Sequence, residues 1–176
     1  MACDLTAGRL LKCKDSVGGI RAVGFIQLAE YVPTYSSEVL SSVSTVTGYA
    51  YDLARGSSSL NEAYQVSVEN GSVFYEQTLT LKLSQLSATD RAEIHLLLQN
   101  RLVCIVLDNN DNQWVIGEIN GAEVVSGGSM VGQGLGDFYG YDLTLVAQEK
   151  VPMRSAGTPT DTIGSNITGL TLTPGS

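Results

Sequence analysis

Residues 62–83 alternate apolar and polar side chains on either side of an Asn-Gly pair, and this pattern constrains the fold more than any other feature of the chain. Tyr64, Val66 and Val68 share one face, against Gln65, Ser67 and Glu69. After Asn70-Gly71, the positions Val73, Tyr75, Leu79, Leu81 and Leu83 share a face against Glu76, Thr78, Thr80 and Lys82. Period-two alternation of this length specifies a sheet with one buried and one polar face. Asn-Gly between such strands predicts a tight hairpin, because both turn positions favour positive φ. Gln77 is the one polar residue on the apolar face. At ~3.4 Å per residue the return strand spans about 40 Å, so part of it is expected to project or bend.

The rest of the chain extends the same theme. Arg21–Ala29 and Ser44–Leu53 read as strands, and residues 33–44 as a Ser-rich loop with a short helical turn. One helix is predicted at about 88–100. Ser87 supplies its cap, Asp90 sits three residues on, and Ile94, Leu97 and Leu98 form its apolar stripe. Leu102–Leu107 and Gln113–Ile119 form a hairpin around Asp108-Asn-Asn-Asp-Asn112, and a second Asn-Gly hairpin is predicted at Asn120-Gly121. Ser126–Gly136 reads as a glycine-rich loop and Tyr139–Ala147 as the last strand. The expected fold is mainly β with one packed α-helix (α+β), an antiparallel β-sandwich or barrel. Residues 1–20 are expected as an N-terminal arm, 21–150 as a single β-rich domain and 151–176 as a flexible C-terminal arm.

Composition narrows the function. In 176 residues only 16% are charged and the formal net charge is −8. That balance argues against a nucleic-acid reader, which needs a basic patch, but suits a wall that phosphate slides past. A surface so poor in charge also suits coverage by partners. No apolar run is long enough to span a membrane. The first residues do not have the form of a secretory signal, so synthesis in the cytoplasm is expected.

Chemistry-bearing motifs are few. Cys3, Cys13 and Cys104 lack metal-ligand spacing. Cys104, within Leu102–Leu107, reads as a small buried hydrophobe, and Cys3 and Cys13 would pair only in an oxidising medium. Asp108–Asn112 lacks the glycine and bidentate acid of a calcium loop and reads as a polar turn. Gly132-Gln-Gly-Leu-Gly136 precedes a strand rather than a helix, which disfavours a phosphate cradle. His95 is the only histidine and no nucleophile elbow accompanies it. Glu118 and Glu123 flank a turn without forming an evident acid pair. Trp114, Tyr139 and Tyr141 are strand aromatics, suited to packing or, less simply, to stacking on sugars. The reading assigns no catalytic, cofactor-binding or metal-ligating residue, and no cofactor.

The order of arm, strands, long hairpin, one helix, antiparallel strands and Gly/Thr/Ser tail resembles the tail tube proteins of tailed bacteriophages over residues 20–150. The stretch Gly134–Pro152 is similar to segments of phage structural proteins. The resemblance implies a self-assembling virion subunit, synthesised in the host cytoplasm and not an enzyme. Its subunits would form stacked hexameric rings around an acidic channel, with DNA as non-specific passing cargo and other virion proteins as partners. It further implies contacts through the N-terminal arm, the polar loop at residues 52–61 and the C-terminal tail. A capsid decoration protein, a head–tail connector protein, or a carbohydrate- or receptor-binding β-sandwich using Trp114 and the glycine-rich loop are the alternatives.

Overall fold

The computed structural model describes residues 16–54, 56–132 and 138–174. The expected N-terminal arm lies outside them up to residue 15, as do Cys3 and Cys13. Among the described residues the chain is mainly β, with a barrel, a second sheet and a single α-helix.

The barrel is built from β1 (Ile20–Gln27), β2 (Pro33–Ser36), β3 (Val39–Asp52), β6 (Leu102–Asp108), β7 (Gln113–Ile116), β10 (Arg154–Gly157) and β11 (Thr168–Pro174). Its strands run β1-β6-β7-β10-β3, and pairing of Ala22–Phe25 with Tyr49–Asp52 closes the circuit. β2 and β11 add to the long β3, β11 in parallel. The second sheet is antiparallel, in the order β4 (Ser59–Ser67), β5 (Ser72–Ser84), β9 (Tyr139–Glu149), β8 (Glu123–Val131).

Two cores follow from this layering. Inside the barrel lie Ala22, Ile26, Leu40, Val43, Val103, Ile105 and Leu107. Between barrel and sheet lie Val23, Phe25, Leu102, Cys104 and Val106, facing Leu79, Leu81, Leu143 and Leu145. β1 and β6 therefore bury both faces, which explains their near-continuous apolar runs. Ala88–Gln99 forms α1, as expected. The Ser87 hydroxyl accepts the Asp90 N–H at 3.0 Å, and Ile94 packs into the core between the layers.

Five local expectations are corrected. The Asn70-Gly71 turn is a four-residue loop, Val68–Gly71, in which only Gly71 has positive φ (61°). The two-residue turn with both φ positive lies instead at Ser37-Glu38 (51° and 65°), joining β2 to β3 where a loop and helical turn were expected. Asn120-Gly121 joins no hairpin: β7 and β8 belong to different sheets, and the turn carries the chain between them. The glycine-rich segment through Val131 is strand β8, because it pairs with β9 from Glu123 to Val131. The phosphate-cradle candidate largely lies outside the described residues.

The fifth correction concerns the tail. Residues 151–174 contribute β10 and β11 to the barrel and bury Ala156, Ile163 and Ile167. Leu172 holds the last strand down. Its side chain fills the space left by Gly24 and Gly48, where an added Cβ would come within 2.7 and 2.8 Å of it. The tail cannot order itself, but β3 offers it a free edge and the two glycines offer it a socket.

Candidate assembly surface

The second sheet presents three features that the barrel does not need. The first is a polar outer face. Glu76, Thr78, Thr80 and Lys82 on β5 alternate with the core positions Gln77, Leu79 and Leu81. Asp142, Thr144, Val146 and Gln148 do the same on β9. Lys82 lies opposite Asp142 and Thr80 opposite Thr144. This face is hydroxyl-rich and carries more acids than bases.

The second feature is a pair of free edges. β4 and β8 each have nine residues, and among the described residues each has a pairing partner on one side only. Unpaired edge strands are templates for further pairing. They are offset along the strand axis. Projected onto β5, β4 spans Ser72–Thr80, whereas β8 begins at the level of Thr78 and runs just past Ser84.

The third feature is the hairpin arm. Beyond the level of Gln77 the apolar face of β4 and β5 outruns the core. Tyr64 is 66% exposed and Val68 90%, with Val66 and Val73 also open. Tyr64 and Tyr75 meet edge to face at 5.5 Å. A polar belt seals the core where the arm leaves it. Gln77, the blemish in the sequence pattern, accepts the Gly117 N–H at 3.1 Å and donates to Glu62 at 3.2 Å. The same Glu62 oxygen accepts the Met153 N–H at 2.6 Å. Glu149 is 1% exposed and accepts the N–H groups of Ile119 and Asn120 at 3.2 and 2.9 Å. Burial raises its carboxyl above the usual range; those N–H bonds oppose the rise and the nearby Glu118 carboxylate adds to it.

α1 lies beside β8 on the inner side of the sheet. A cavity of about 250 Å³ opens there, lined by Arg91, Ile94, His95, Leu98, Gly127 and Tyr141 among others. Leu98 is 51% exposed, so the expected helical stripe is only partly buried, by Ile94 and Leu97. His95 is exposed, 3.1 Å from the Gln99 amide.

The remaining candidates are not brought together. Asp108 accepts the Asn110 and Asn112 N–H groups and the Trp114 indole N–H, as a self-satisfied turn. Asn110 and Asn109 clamp the backbone of Val17 and Gly18. Trp114 sits on the barrel, whereas Tyr139 and Tyr141 sit on the second sheet, so they offer no common sugar platform. Tyr141 is buried and its hydroxyl reaches the Ser87 carbonyl at 3.4 Å. Glu123 pairs with Arg101 at 2.6 Å, and Glu118 with Arg154 at 3.3 Å. Arg154 also lies over the Tyr35 ring, whose hydroxyl is 3.0 Å from that of Tyr31. Burial raises the Tyr31 hydroxyl to about 12. Cys104 is fully buried and its thiol is pushed up by desolvation. Among the described residues no cluster of His, Cys, Asp and Glu has the arrangement of a metal site, and no helix is long and apolar enough to cross a membrane. Of the loop expected at 52–61, Asp52 ends β3 and Ser59–Asn61 belong to β4; Leu53 is buried and the Ser58 hydroxyl accepts the Lys82 N–H at 3.1 Å.

The pattern of residues 62–83 foretold the arm, but the β8 edge was missed because glycines hid its strand character. Comparison with protein families, curated proteins and solved structures returns no match.

Proposed function

We propose that the protein is a self-assembling structural subunit of a phage particle, a tail tube subunit whose second sheet continues from copy to copy around a channel. The observation that carries this reading is the pair of equal edges, free among the described residues, on one four-stranded antiparallel sheet. With an even number of alternating strands, β8 of one copy beside β4 of the next is antiparallel with both copies in the same orientation. Such a head-to-tail contact generates rings when the rotation closes. The offset between the edges suits closure. About five to six residues of stagger per four strands corresponds to a strand tilt of about 45°, at the upper end of the range for closed barrels.

The hydroxyl-rich, net-acidic outer face would then line the channel, and DNA would pass it without adhering. The projecting hairpin, rather than the tied-down loop after β3, would reach the neighbour. Multi-angle light scattering of the purified protein across concentration tests the proposal. Discrete multimers that grow with concentration are expected, and a monomer at every concentration and salt would contradict it.

A further inference from the structure

The cavity between α1 and β8 and the exposed tyrosine of the arm are complementary in position and in chemistry. Gly127 of β8 lies opposite Leu143, an inward position of β9. It lines the cavity together with Ile94 and Leu98, and the close approach of Leu143 and the Asp142 carbonyl leaves no room for a side chain of its own. Tyr64 also points inward, since its partner Tyr75 shares a face with Gln77 and Leu79. In an antiparallel ladder, residues directly opposite share a face. When β4 and β8 of adjacent copies overlap almost fully, the face rule sets Tyr64 opposite Gly127. An aromatic ring beside an edge glycine covers the backbone that the glycine leaves bare.

The lining of the cavity suits this ring. Arg91 and His95 stand at the cavity beside α1, and a guanidinium is attracted to an aromatic face. The arm brings tyrosines and the acid Glu69, and no cation between Glu62 and Gln77. Every copy carries one arm and one cavity at opposite edges of the same sheet, so the matching occupant is a second copy.

We propose that Tyr64 of one copy occupies the cavity between α1 and β8 of the next, against Arg91, Leu98 and Gly127, and so fixes the register of the intersubunit ladder. This rests on the edge-to-edge reading above. The test uses Tyr64→Cys and Leu98→Cys together, in a Cys3→Ser, Cys13→Ser background, with mild oxidation and non-reducing electrophoresis. Crosslinked ladders of two or more chains are expected, and neither single cysteine should give them. Tyr64→Ser loses only the exposed edge-to-face contact with Tyr75, so it should leave the monomer folded with at most a small drop in thermal stability while raising the concentration for assembly about tenfold or more. If the wild type never assembles, both readings fail. If it assembles, but the double-cysteine protein gives no ladder and Tyr64→Ser assembles like the wild type, only the docking of Tyr64 is overturned.

Discussion

Glu149 shows how a single buried acid can be tied to stability. Its carboxylate receives N–H groups from the turn that carries the chain from barrel to sheet, yet desolvation holds its pKa above the ordinary value. A carboxyl with a raised folded pKa contributes stability below the unfolded value of about 4.3 and loses it as pH rises through the folded value. Thermal melts from pH 4 to pH 8 should therefore show the wild type losing stability relative to Glu149→Gln, and parallel curves would contradict the assignment. Ser37 and Glu38 make a second residue-scale case. Both are left-handed in a turn that favours Asn-Gly, at a cost of roughly 1–2 kcal/mol per ordinary residue. Glu38→Gly should stabilise by about 1 kcal/mol in urea titration, since the ion pair it removes is mostly exposed. Neither site was legible in the sequence. Gln77 was visible as an exception but not its partners, Glu62, set opposite it only by the hairpin register, and Gly117, 40 residues away. The Ser37-Glu38 turn lacks the Asn-Gly signature of a tight hairpin, so its Ser-rich surroundings read only as loop.

At the scale of elements, sequence was most informative where a pattern is local. The helix begins at its cap because the Ser87 hydroxyl accepts the Asp90 N–H within one turn. Ser87→Ala should cost about 1 kcal/mol, readable as a shift in the urea midpoint. Alternation also gave β5, including its excess length. Elements that depend on a distant partner escaped. β8 reads as a loop because glycines and serines have weak strand preference, and only the β9 edge makes it a strand. β11 reads as a flexible tail because Leu170 and Leu172 cannot bury themselves without β3 and the Gly24–Gly48 socket. Leu172→Ala should release β11 first. Hydrogen exchange should show lost protection at residues 168–174, with β1 and β6 still protected.

At the scale of the whole molecule, a closed barrel and an open sheet share one interlayer core, and they differ in how complete they are. The barrel closes through β1 and β3, and the tail strand completes it. Among the described residues the sheet ends in two uncovered edges and an apolar arm, features that isolated proteins usually blunt. The candidate surface was half legible. The sequence announced a long amphipathic hairpin and a charge-poor, acidic surface, but not the second free edge or its stagger, because both are properties of pairing rather than of composition. That incompleteness makes self-assembly the central claim. Electron cryomicroscopy of the concentrated protein tests it most directly. The account predicts closed rings or tubes whose channel is a continuous β-barrel, with β4 of one copy beside β8 of the next and strands tilted by about 45°. Particles that remain single subunits, or assemblies in which β4 and β8 stay unpaired, would contradict it.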